Sequence, residues 1–244
     1  SLAIGASLGL SGAALQGLLQ NPLAEPALLG AGPAAAFGAV LAFYFGWSDL
    51  TALILPLSGI GAALFATTLV WALAGGRGKP ETIILAGVAI SSIAGSLTAC
   101  ALNFAPNPFA ATEIIFWMMG SLADRSIDHV LLSLPFMIVG WMLLFSVRGP
   151  LDALALGAET ASSLGINMKG VSFRVIFGTA IAVGAATAVA GVVGFVGLAV
   201  PHILRPFVGH RPGALLIASA LGGAVMLGIA DVVVRVVSMG SELK

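Results

Sequence analysis

Acidic and basic side chains are so widely spaced in this chain that most of it is uninterrupted apolar sequence. No Asp, Glu, Lys or Arg occurs between Ser1 and Ala24, or between Thr82 and Thr112. A helix needs about 20 mostly apolar residues to cross the hydrocarbon of a bilayer, and charges mark where such a span must stop. Read between the charges, the sequence predicts eight spans, at 1–20, 27–46, 50–75, 82–104, 127–147, 173–194, 195–209 and 213–237, the seventh being short. Only 8% of the 244 residues are charged. Soluble domains carry roughly 25%, so a soluble globule is excluded.

The runs are continuous and rich in Ala, Leu and Gly, without the alternation of membrane β-strands. The fold class is therefore all-α, a polytopic helical bundle within the lipid bilayer. Its 32 glycines include several at helical spacing, such as Gly5 with Gly9 and Gly191 with Gly194 and Gly197, and small residues let membrane helices approach closely. Ten basic residues balance ten acidic ones, which leaves no cationic footprint for nucleic acid. The single Cys100 cannot form a disulfide within the chain, and in its apolar run it reads as a small packed hydrophobe. The first run has no charged segment before it, so it does not read as a signal peptide; the start reads as the middle of a protein.

Loop charge sets the orientation. With the first span running inward, Arg77, Lys79, Arg148, Lys169, Arg174, Arg205 and Arg211 collect inside, against Arg125, Arg235 and Lys244 outside, as the positive-inside rule favours. Phe43, Tyr44, Phe45 and Trp47 then form an outer interfacial belt. The outer stretch 105–126 opens with helix-breaking prolines and continues as a short amphipathic surface piece, with Met118 and Met119 as packing residues. The inner stretch 148–172 reads as two short helices broken near Gly157 and Gly165, with Leu151, Leu154, Leu156 and Leu164 among small and polar residues. Those leucines need a cover, either a cytosolic partner or the inner face of the bundle itself.

Gly12 is followed ten residues later by Pro22 and then Pro26, and Gly191 ten residues later by Pro201 and then Pro206. Because the two segments run in opposite directions, the pattern is that of an inverted repeat with broken helices, a feature of transporters. Asn21 and Glu25 either cap the broken helix end or line a translocation path. Asp231 within the last span is either functional or paired with Arg235 one helical turn away. His202 has no second ligand at metal spacing and reads as a structural hydrogen-bonding group at the helix break. The segment from Gly75 to Pro80 lacks the first glycine and the Ser or Thr of a phosphate-binding loop. No H-E-x-x-H or G-x-S-x-G pattern occurs either. The chain is thus expected not to be an enzyme, and it calls for no cofactor or metal.

The stretch 11–30 with Asn21-Pro22 and Glu25-Pro26, Leu85-Ala-Gly-Val-Ala89, Trp117-Met-Met-Gly-Ser121, Leu156-Gly-Ala-Glu-Thr-Ala-Ser-Ser-Leu-Gly165, Gly194-Phe-Val-Gly-Leu-Ala-Val-Pro-His-Ile-Leu-Arg205 and Ala230-Asp231 carry a family resemblance. In that order they resemble the permease subunits of ATP-binding-cassette importers for iron-siderophores, haem and cobalamin. The resemblance implies a single permease domain over 1–244, equivalent to the second through ninth of the family's ten helices. It implies a second permease copy, two cytosolic ATP-binding subunits that hydrolyse ATP, a periplasmic substrate-binding protein, and a place in the bacterial inner membrane. The stretch 148–172 corresponds to the family's coupling loop, with Leu156, Gly157, Glu159, Leu164 and Gly165 as ATPase contacts. Arg235 corresponds to a docking residue for the binding protein, with snorkelling to the interface as the competing role. Pro80, Glu81 and Thr82 fall at the cytoplasmic gate, and Asn21, Pro22 and Glu25 at the path. The implied cargo is a metal chelate, with ferric siderophore first; an ion-coupled carrier using Asp231 is the alternative.

Overall fold

A computed structural model describes residues 1–47, 50–51, 53–75, 80–104, 111–112, 114–115, 118–122 and 126–241. Among them are ten α-helices: α1 (Leu2–Leu19), α2 (Ala31–Tyr44), α3 (Ile54–Leu73), α4 (Pro80–Asn103), α5 (Ile127–Phe145), α6 (Arg148–Leu154), α7 (Ala158–Ser163), α8 (Met168–Ala190), α9 (Val196–Leu204) and α10 (Pro212–Ser241). Six of them, α1, α3, α4, α5, α8 and α10, are long and apolar enough to cross a membrane. The expected spans at 27–46 and 195–209 are shorter as helices. The first begins with a 3-10 turn, Pro26–Leu29, before α2, and the second ends with another, Arg205–Val208, after α9. At 1.5 Å per residue α2 covers only ~21 Å, so irregular backbone makes up the rest of each crossing.

Helix α1 is apolar on all sides, and a helix of that kind belongs in the interior. It is buried along most of its length and packs against α5, α8, α9 and α10. Glycine sets the spacing. A β-carbon on Gly5 would overlap the carbonyl oxygen of Gly223, one on Gly9 that of Ser219, and one on Gly12 that of Gly197. The α1–α10 seam is therefore a small-xxx-small contact on both sides, Gly5 and Gly9 against Ser219 and Gly223. Elsewhere Gly140 and Gly178 play the same part between α5 and α8, and Gly38 between α2 and α3. Trp141 donates its indole N–H to Ser7 Oγ at 2.9 Å, tying α5 to α1. Trp71, Phe173 and Phe177 form an aromatic group joining α3 and α8, with Phe173 stacked on Phe177 at 4.4 Å.

Two sequence readings change in the structure. Cys100 is exposed on α4 rather than packed. Helix α4 is apolar nearly all round, so its sequence does not say which face meets the bundle; Ile83, Ala86, Gly87, Ala94 and Thr98 do, and Cys100 lies off that stripe. Within 105–126, residues 105–110, 113, 116, 117 and 123–125 lie outside the described residues. Of the two methionines there, Met118 packs against Ala36 and Ala39, while Met119 is exposed. At the end of α2, where an interfacial belt is expected, Phe45 stacks on Trp47 at 5.1 Å and the Tyr44 hydroxyl donates to the Phe104 carbonyl at 2.9 Å.

The seam predicts a sharp contrast between glycines. Gly9→Ala should lower stability by about 1–3 kcal/mol, because two helix backbones must separate to admit the methyl group. Gly61→Ala, where nothing lies within 4 Å, should change stability by less than about 0.5 kcal/mol. Thermal unfolding of the two variants in detergent checks the difference.

Candidate functional site

The irregular segments on either side of the bundle core meet each other. Gln20 closes α1 in a left-handed conformation, φ 47°, and the Asn21 side chain then accepts the Leu23 N–H at 2.9 Å in a local turn. Helix α8 stops at Gly191, φ 74°. The chain re-enters through residues 191–195, and Phe195, φ 66°, starts α9. The Glu25 carboxylate crosses the gap and accepts the Phe195 N–H at 2.8 Å. Gly197 lies directly beneath Pro26 and the Leu8 carbonyl.

Glu25 thus caps a helix, as one of its two readings expects, but the helix is α9 and not its own neighbour. First-turn N–H groups have no partner within their helix, and a carboxylate is favoured there by the helix dipole. Asn21 is half-buried and Pro22 exposed, both at the mouth of the break. His202 lies exposed in the last turn of α9.

Two amides at the end of α1, Gln16 buried and Gln20 exposed, reinforce the crossing. Gln16 is 2% exposed; its Nε2 donates to the Ala24 carbonyl at 3.3 Å, and its Oε1 accepts from Arg205 Nη2 at 2.5 Å. Gln20 Nε2 donates to the Leu154 carbonyl at 2.8 Å. Gln16 and Gln20 were absent from the sequence-based site. Their signal was available in two amides one helical turn apart at the end of an apolar run, of which the buried Gln16 must find partners in protein.

The two short helices of 148–172 are α6 and α7, and glycines of positive φ, Gly157 at 109° and Gly165 at 79°, bound α7. The leucines divide between two surroundings. Leu151 and Leu154 are buried in the main core, whereas Leu156 and Leu164 are 70% and 64% exposed. Glu159 is also exposed, in the first turn of α7. Pro80 opens α4, with Glu81 exposed and Thr82 half-buried in its first turn. At the far end of α10, Arg235 Nε donates to Asp231 Oδ1 at 3.0 Å, and Nη2 donates to the Leu122 carbonyl at 3.4 Å. The one-turn ion pair is thus formed, and the Arg235 side chain remains 56% exposed.

A bundle of apolar helices in which two broken segments meet at a shared hydrogen bond, with hinged helices at one end, is the architecture of a multi-pass transport protein. The comparisons give the family. Residues 1–244 match the model of the FecCD transport family, and the chain belongs to that family. It is 37% identical to the vitamin B12 import system permease protein BtuC of Vibrio cholerae over 242 residues, 98% of this chain and 72% of that protein. It is 33% identical to the hemin transport system permease protein HmuU of Yersinia pestis, covering 100% of this chain and 74% of the relative. A solved metal-chelate type ABC transporter in an inward-facing conformation superposes with a TM-score of 0.90 at 30% identity, over 97% of this chain and 75% of the other. The chain is a permease subunit of an ATP-binding-cassette importer.

The contact between the two breaks yields a prediction. Glu25→Ala removes the acceptor of the Phe195 N–H, a solvent-exposed bond whose net contribution is about 0.5–1.5 kcal/mol. Amide exchange at 195–197 should accelerate up to about tenfold, whereas Glu25→Gln, which keeps an acceptor oxygen, should stay within about threefold of wild type. Hydrogen–deuterium exchange by mass spectrometry reads both.

Proposed function

We propose that this permease carries a bulky metal chelate across the bacterial inner membrane by alternating access. A second permease copy completes the path, two cytosolic ATP-binding subunits supply the energy, and a periplasmic binding protein delivers the cargo. The observation that carries this reading is the exposure of Leu156 and Leu164 on a hinged segment at one end of the bundle. Exposed apolar side chains flanking a short helix that is bounded by glycines of positive φ, outside the spans, match a surface that is covered by a partner and moves with it. Gly157, Glu159 and Gly165 belong to the same surface.

Ferric siderophore stands first among the cargoes, with haem and cobalamin in the same class; the relatives named for vitamin B12 and hemin support the class. The exposed side of α4, which includes Leu85, Val88, Ser92, Ser96 and Cys100, suits the wall of such a path. It bears no charge, and the Ser92 hydroxyl donates to its own helix at Val88, so a chelate finds little there to hold it. Pro80, Glu81 and Thr82 close this wall at the cytoplasmic end, and Asn21, Pro22 and Glu25 border it at the break. The ion-coupled alternative would need a free intramembrane carboxylate, but Asp231 is committed to Arg235. Binding of the three chelates to the cognate periplasmic protein tests the cargo.

Gly157→Glu or Leu164→Glu in the full-length permease should abolish ATP-dependent uptake without preventing membrane insertion. Gly157 has φ 109°, so the first change also strains the hinge; Leu164→Glu isolates the loss of an apolar contact. Copurification of the ATP-binding subunit and uptake into proteoliposomes are the readouts, and unchanged values for both variants would remove the coupling role.

Arg235 in this reading meets an acidic group of the binding protein. Rim charges act mainly on association rate and its salt dependence. Arg235→Glu should slow association several-fold, more at low salt than at high salt. A rate independent of salt in a normally expressed variant would leave Arg235 only its contacts with Asp231 and Leu122.

A further inference from the structure

We infer that Asp152 is a positioning residue that fastens the coupling segment to the first turn of α10, so that α10 conveys motion at the ATPase side to the outer face. The inference rests on the coupling role proposed for 148–172. Asp152 Oδ1 accepts the Gly213 N–H at 2.7 Å, taking one of the donors that α10 cannot pair within itself. Its Oδ2 lies 3.9 Å from Arg211 Nη2, and the Arg211 side chain is 76% exposed. That pair is long and solvated and contributes little; the hydrogen bond to the helix end is the fastening.

Packing at the junction leaves no slack. A β-carbon on Gly213 would stand 2.6 Å from Asp152 Oδ2, 2.7 Å from Arg148 Cγ and 2.9 Å from the Arg148 carbonyl. Helix α6 therefore lies flush against the start of α10. On its other side α6 buries Leu151 and Leu154 in the core and receives the Gln20 amide at the Leu154 carbonyl. It is thus gripped by the end of α1 and the beginning of α10, two helices already locked together at Gly5, Gly9, Ser219 and Gly223.

Helix α7 is held differently. Of its side chains only Ala161 is buried, and glycines of positive φ lie just outside both of its ends. Beyond α7, Ile166 gives a second link to the core, but a displacement imposed on Leu156, which directly follows α6, becomes motion of the bundle through α6. From there Asp152 passes it to α10, which runs from Pro212 ~35 Å along its axis to the turn that carries Arg235.

The test uses the full-length permease assembled with its ATP-binding subunits in nanodiscs, for thermal stability and ATP hydrolysis, and in proteoliposomes, for uptake. Asp152→Ala should lower the ratio of cargo imported to ATP hydrolysed at least tenfold. Asp152→Asn keeps an oxygen facing Gly213 and loses only the ion pair, so its ratio should stay within twofold of wild type. A role confined to stability would lower uptake, hydrolysis and melting temperature together in Asp152→Ala while leaving the ratio unchanged, and that result would overturn the inference. So would an Asp152→Asn ratio as low as that of Asp152→Ala. Failure of the underlying reading is distinguishable: Leu164→Glu would then import normally, whatever Asp152→Ala does, and the inference would fall with it.

Discussion

In hydrocarbon a backbone N–H has no water to bond, so every interruption of a helix must be answered by protein. This chain interrupts its helices after Gln20 and after Ala190. The answers are reciprocal in space. Glu25 from the first break accepts from Phe195 in the second, and Gly197 just beyond it lies against Pro26. That contact, with those of Gln16 to Ala24 and Arg205, fixes the segment that leads into α2 against the start of α9. The remaining crossings are arranged around this junction.

Close approach at glycine follows from the same solvent. Lipid tails are as apolar as leucine, so burying leucine gives two membrane helices little reason to associate. Contact area is gained by bringing backbones together. Gly5, Gly9 and Gly12 on one helix serve two neighbours, α10 through the first two and α9 through the third. That places α1 at the centre and lets it register both the re-entrant helix and the long one. Gln16, next along α1, meets Arg205 at the other end of α9, so α9 is held near both of its ends by a single helix.

The spans were legible because charge is rare enough here to act as punctuation, and α3 and α5 begin and end close to the charges that flank them, whereas α4 and α8 end well short of the next charge. The bounds of α7 were legible because Gly157 and Gly165 interrupt an otherwise helical pattern. Orientation about each helix axis was not. Helices α1 and α4 are both apolar nearly all round, yet α1 is central and α4 exposes a long face that includes Cys100, and no periodicity separates the two cases. The partner of Glu25 lies 170 residues away and that of Asp152 lies 61 away. A local pattern can mark such carboxylates as needing a donor but cannot say which one. The leucines of 148–172 posed a choice between two covers, and the structure divides them: the bundle covers Leu151 and Leu154 and leaves Leu156 and Leu164 exposed.

The attachment of α7 through one buried methyl group has an evolutionary consequence. Substitutions on its surface alter the fit to whatever it touches and leave the membrane-embedded packing unperturbed, since no core side chain depends on them. The segment between Gly157 and Gly165 can therefore drift with a changing partner while the bundle stays fixed. Under the coupling role proposed for this segment, exchanging only those residues between relatives transfers the choice of energising subunit and leaves cargo selection with the helices.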